Sequence, residues 1–74
     1  MESANVGEAI KFLREKHNKS ARALSLECGF SPAYLGKVES GEISPSFKNF
    51  AKIAINLNMS TREIIYLILE ESTK

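Results

Sequence analysis

The chain has 74 residues, 43% hydrophobic and 26% charged, with a formal net charge of +1; this length permits one domain with a modest core, and the composition excludes a disordered chain. A single cysteine, Cys28, excludes an internal disulfide and a cysteine metal cluster, so packed helices must supply the stability. No stretch approaches the roughly 20 apolar residues that a membrane-crossing helix needs, which excludes a membrane span.

Met1–Gly7 lacks the apolar stretch of a secretory leader, so a cytoplasmic location is expected. Val6, Ala9, Ile10 and Leu13 then recur at helical spacing, with Lys11, Arg14 and Glu15 between them, and predict a first helix over Val6–Lys16. His17-Asn18-Lys19 interrupts the pattern. His17 is read as a solvent-exposed cation that suits a helix C-terminus rather than as a ligand. Ser20 suits the N-cap of a second helix, Ala21–Cys28, in which Cys28 reads as a buried small apolar residue.

Gly29 falls where a left-handed residue ends a helix. Ser31-Pro32 is a cap followed by proline at the first helical position, and it opens a third helix, Pro32–Glu39. After Ser40-Gly41 a loop leads to Ser46, which caps a fourth helix. Phe47, Phe50, Ala51, Ile53, Ala54 and Leu57 are expected on its inner face. Ser60-Thr61-Arg62-Glu63 has the form of a capping box and opens a fifth helix that runs to about Glu71. Its inner stripe, Ile64, Leu67 and Ile68, is expected to close the core against the fourth helix. Ile65, Leu69 and Tyr66 are left either to the core or to the same surface of a second subunit.

Charge is unevenly spread. Residues 1–62 carry nine Lys/Arg against six Glu, and residues 63–74 carry one Lys against three Glu. A basic body with an acidic end fits a DNA-contacting face and a separate end for other contacts.

The most informative stretch is Ser20–Gly41, S-A-R-A-L-S-L-E-C-G-F-S-P-A-Y-L-G-K-V-E-S-G. Two helices of about eight residues joined by a short glycine-containing turn make a helix-turn-helix. Ser25 is small where the two helices cross. Leu35 and Val38 anchor the second helix, leaving Ala33, Gly36 and Lys37 outward. With these residues in view, the chain resembles the Cro and phage-repressor family, the XRE-type helix-turn-helix proteins. The resemblance spans about Val6–Leu67 and adds L-R-E-K on the first helix, Y-L-G-K-V-E-S-G, P-S and I-A-x-x-L-x-M-S. It implies an all-α, five-helix fold with the helix-turn-helix at 20–41; by its length the chain reads as a single domain over residues 1–74, and the apolar circumference of the C-terminal helix at 60–71 makes it the candidate for dimerisation. The resemblance also implies dimers on a two-fold symmetric operator of double-stranded DNA, with the third helix in the major groove.

Carried over by position, the resemblance implies that Arg14 meets Glu39 and joins the reading helix to the scaffold. Base-reading positions are Pro32, Ala33, Gly36 and Lys37. Lys37 can donate to guanine O6 and N7, whereas Pro32 and Ala33 can make only apolar contacts such as with a thymine methyl. Phosphate-contact candidates are Ser20, Arg22, Ser31, Ser44, Ser46 and Lys48, mostly at helix starts. Tyr34 either joins them or packs against the body. Dimerisation is assigned to Ile65, Tyr66 and Leu69.

The chain departs from the family pattern in three places. Ala21 stands where glutamine is usual, the loop after the third helix reads Glu42-Ile43-Ser44 instead of basic, and Gly36 replaces a polar reader. The reading surface is poor in donors, so recognition is expected to lean on DNA shape and backbone contacts. No carboxylate pair, Cys/His cluster or nucleophile with an adjacent base occurs at useful spacing; no enzyme activity, cofactor or metal is expected. The function expected is a DNA-binding transcriptional repressor. The alternatives are an antitoxin or control protein of the same fold with a protein partner at the C-terminal helix, and a protein-interaction module that has lost DNA binding.

Overall fold

The computed structural model describes residues 6–72, with side chains through Leu69. The reading of Met1–Gly7 and the charges expected at Glu70, Glu71 and Lys74 therefore lie wholly or partly outside the described residues. Five helices follow one another: α1 (Val6–Lys16), α2 (Ala21–Cys28), α3 (Pro32–Glu39), α4 (Phe47–Asn56) and α5 (Thr61–Ser72). No strand occurs among the described residues, and the architecture is all-α, as expected.

The boundaries follow from local chemistry. The serine hydroxyls of Ser20, Ser31 and Ser46 accept the N–H groups of Ala23, Tyr34 and Asn49 at 3.0, 3.1 and 3.1 Å. Each cap satisfies an amide that the first turn would leave unpaired. At α5 the box closes in both directions: Ser60 Oγ accepts from Glu63 N–H at 3.1 Å, and Glu63 Oε1 accepts from Ser60 N–H at 2.8 Å. Four helices end alike, in a residue of positive φ. Asn18 (58°) follows α1, Gly29 (79°) follows α2, Gly41 (85°) follows α3 and Asn58 (52°) follows α4. In each the next N–H reaches back to a carbonyl of the last turn: Lys19 to Arg14, Phe30 to Ser25, Glu42 to Lys37, Met59 to Ala54. Asparagine and glycine tolerate this conformation where other side chains clash.

Ile10, Leu24, Leu35, Ile53, Leu57 and Val38 are fully buried, and Val6, Cys28, Phe50 and Leu67 complete the core. Each large aliphatic contributes about 1.5–3 kcal/mol by leaving water. α1 packs on α3 and α5, and α2 packs on α3 and α4, so the main seat of α5 is α1 and not α4, against which it was expected to close. Burial pushes the Cys28 thiol up from its ordinary value, and Asn56 Nδ2 lies 3.6 Å from its sulfur. Ser25 is also fully buried and gives its hydroxyl hydrogen to the Ala21 carbonyl at 2.8 Å, so the α2 crossing leaves no stranded polar group.

Two core assignments are corrected. Phe47 is 77% exposed rather than on the inner face of α4. At about 100° per residue it stands some 70° from the centre of the Phe50–Ile53–Ala54–Leu57 stripe, at the helix's first position. Ile68 is 39% exposed. It sits beyond Ile64, about 100° around the helix from buried Leu67.

α1 and α3 meet closely. Gly7 is buried, and a Cβ built there would stand 2.1 Å from the Val38 carbonyl oxygen. Side chains at this distance do not exist, so the two backbones approach as only glycine allows.

Candidate nucleic-acid interface

α2, the turn Gly29-Phe30-Ser31 and α3 form the helix-turn-helix unit. Leu35, Val38 and Glu39 bury one side of α3, and this leaves Pro32, Ala33, Gly36 and Lys37 exposed on the other. Nothing lies within 4 Å of where a Cβ would stand on Gly36. The outward face thus offers one long donor, Lys37, above a small apolar surface.

The far end of α3 is held by Arg14. Its Nε donates to Glu39 Oε2 at 2.7 Å, one of its terminal nitrogens donates to Glu39 Oε1 at 3.1 Å, and the other reaches the Lys19 carbonyl at 2.8 Å. Both side chains are about nine-tenths buried. The Glu39 hydrogen bond and charge raise the guanidinium's pKa further above its already high value, so the arginine stays charged. Lys19 continues the network from the α1–α2 corner. Its Nζ donates to Glu27 Oε1 at 2.5 Å and to the Asn56 carbonyl at 2.9 Å, which joins α2 to the end of α4.

The near end of α3 is held by Tyr34. Its ring meets Phe30 edge-on, with centroids 5.0 Å apart and planes at 69°. Its hydroxyl accepts from Asn49 Nδ2 at 3.0 Å. Tyr34 is therefore half-buried against the body, with its phenolic hydrogen still available to an acceptor. Tyr34 and Asn49 are each the third residue of their helices, so their bond draws the N-termini of α3 and α4 to one edge. The caps Ser31 and Ser46 lie at that edge. Each hydroxyl oxygen already accepts a backbone N–H and keeps its own hydrogen to donate.

Of the remaining phosphate candidates, Ser20 caps α2, Arg22 is exposed at the second position of that helix, and Ser44 and Lys48 are exposed either side of the α4 cap. Ala21, in the position of the missing glutamine, is half-buried against the core and offers no side-chain donor. Ile65, Tyr66 and Leu69 are each more than half exposed on α5. Tyr66 also lines an apolar groove against α1 with Phe12, Leu13, Ala9 and Leu67, rimmed by Arg62 and Glu63.

Sequence reasoning missed Asn49, Gly7 and Lys19. Asn49 finds its partner 15 residues earlier, and Lys19 bridges to residues 8 and 37 positions away. No local spacing signals such bonds. Gly7 had a signal in kind, a glycine inside an amphipathic helix, where alanine would be the better helix former.

This geometry is that of a helix-turn-helix protein. Residues 10–64, 55 of the 74, match the helix-turn-helix family profile. The chain belongs to that family, of the XRE type, a class of DNA-binding regulators. No curated protein and no solved structure matches it. No helix among the described residues is long and apolar enough to cross a membrane.

Proposed function

We propose that the protein is a sequence-specific, double-stranded-DNA-binding transcriptional repressor that acts in the cytoplasm as a homodimer on a palindromic operator. The observation that carries this reading is the two-sidedness of α3. Its inner side is locked to the body by Leu35, Val38 and Glu39, and its outer side is free of any partner element at Ala33, Gly36 and Lys37.

In this reading α3 enters the major groove as the recognition helix. Lys37 donates to guanine O6 and N7, while Pro32 and Ala33 meet thymine methyls. Ser20, Ser31, Ser46, Arg22, Ser44, Lys48 and the Tyr34 hydroxyl hold the phosphates and so fix register without reading sequence. Two copies paired through Ile65, Tyr66 and Leu69 place two reading helices about 34 Å apart, on successive turns of the groove.

A second reading is favoured by one observation. The exposed α5 residues adjoin the groove shared with Phe12, a face as suited to an unlike protein as to a second copy. An antitoxin or control protein would use it so.

Selection of the purified chain on random duplex DNA, with Lys37→Ala alongside, tests the proposal. An enriched palindrome whose half-sites lie about one helical turn apart, altered in the variant, is the expected result. No enrichment over input would overturn it and turn attention to the α5 face.

A further inference from the structure

Gly7 and Arg14 lie on nearly the same meridian of α1, because seven residues make just under two turns. Both act on one residue of α3. At Gly7, the missing Cβ would stand 2.1 Å from the Val38 carbonyl oxygen, 2.8 Å from the Glu39 carbonyl oxygen and 3.0 Å from the Glu39 carbonyl carbon. At Arg14, the guanidinium forks the Glu39 carboxylate at 2.7 and 3.1 Å. Glu39 is thus gripped by its backbone at one point and by its side chain at another, roughly 10 Å apart along α1.

From this two-point seat we infer that Gly7 is a positioning residue for the reading helix, setting the height and tilt at which Ala33, Gly36 and Lys37 stand out from the body. The inference rests on the assignment of α3 to DNA reading. The Tyr34–Asn49 bond holds the near end of α3. With that end held, the spacing that Gly7 allows at Val38–Glu39 sets how far the other end stands from α1, and so the tilt of the helix. The atoms opposite Gly7 are all backbone, so they cannot yield by a rotamer change as a side-chain tip would. A methyl at position 7 therefore makes the last turn of α3 retreat by more than about 1 Å before carbon and oxygen reach ordinary contact. α3 is a single capped helix of eight residues, and its backbone hydrogen bonds tie one end to the other. A displacement at Val38–Glu39 is carried to its reading face, where recognition tolerates only about 0.5 Å. Phosphate contacts from flexible surface side chains tolerate more, so the error falls on sequence discrimination rather than on general affinity.

Fluorescence anisotropy on the selected duplex and on a scrambled duplex of equal length gives the specific-to-nonspecific affinity ratio. Measurements are made where circular dichroism shows each variant folded. For Gly7→Ala the ratio is expected to fall about tenfold or more, the worth of one good base contact, with the scrambled affinity within about twofold of wild type. Ile53→Val, a core change on α4, is expected to lower Tm and leave the ratio unchanged, because general destabilisation does not move α3. If the wild-type chain shows a preference and Gly7→Ala keeps the same ratio, the positioning role is overturned. A wild-type chain that retains no duplex overturns the DNA-reading assignment itself. Should Gly7→Ala not fold, the ratio is read on Arg14→Lys, which keeps the charge and loses the fork. A fall there supports the two-point seat, and an unchanged ratio overturns it.

Discussion

Arg14 has more depending on it than any other charged residue of the described chain, and its burial decides how much. The exposed pair Lys19–Glu27 is worth about 0–1 kcal/mol, because water and salt screen it. The Arg14–Glu39 pair is nearly dry, so removal of one partner leaves the other charge buried and unpaired. Arg14→Ala is expected to cost about 3–5 kcal/mol in urea or thermal unfolding, a large share of what so small a domain has. The double replacement Arg14→Met with Glu39→Leu should lose far less, since no charge is stranded. A double variant as unstable as the single one would show that the loss is one of packing. Gly36 gives the opposite sign. Its Cβ position opens to empty space, so Gly36→Ala should stabilise by about 0.5–1 kcal/mol through helix propensity alone. A Tm some 2–8 °C higher is the expected reading. Neither contact could be read from spacing. Arg14 and Glu39 are 25 residues apart, and only resemblance to a family joined them; Asn49–Tyr34 had no such guide.

Helix ends were legible because capping is local chemistry, completed within three or four residues. Ser20, Ser31, Ser46 and the Ser60–Glu63 box each place a hydroxyl or carboxylate opposite an amide that the chain itself brings there. Helix faces were less legible. A 3.6-residue period says which residues share a side, and it does not say how far a neighbouring helix extends over that side. This is why Phe47 and Ile68, on the edges of apolar stripes, stand in solvent. The same locality makes a prediction for α3. Ser31→Ala should cost about 1 kcal/mol, since the Tyr34 amide loses its acceptor in an eight-residue helix. Hydrogen exchange at the Tyr34 amide should accelerate more than at Leu35, whose N–H still bonds the Ser31 carbonyl. Uniform acceleration along α3 would place the loss in global unfolding instead of in the first turn.

At the scale of the molecule, the α5 face and its groove with α1 gather several exposed apolar side chains in one place, while Leu26, Phe47 and Ile55 are exposed on α2 and α4. Ile65 and Leu69 share one side of α5, four residues apart, and Tyr66 stands beside them over the groove lined by Phe12. If these residues served the fold, charges there would unfold the domain. Exposed as they are, Ile65→Asp with Leu69→Asp should shift unfolding by no more than about 0.5 kcal/mol per site. If instead they pair two copies, association should suffer heavily. A dimer of micromolar Kd rests on about 8 kcal/mol, and every 1.4 kcal/mol lost weakens it tenfold. Two carboxylates facing their own symmetry mates across a two-fold axis would be both desolvated and repelled. Sedimentation at micromolar concentration should therefore give a dimer for wild type and a folded monomer for the double variant. The consequence for DNA follows from geometry. A monomer keeps one reading helix and its phosphate contacts, so affinity for a half-site should persist while the gain from the second half-site disappears. The salt slope should fall too, by about 0.9 in log K per log salt for each phosphate contact given up. A wild-type chain that sediments as a monomer and still binds the full palindrome with the steep slope of two half-sites would mean that DNA itself brings the copies together, and the α5 face would then be free for another protein.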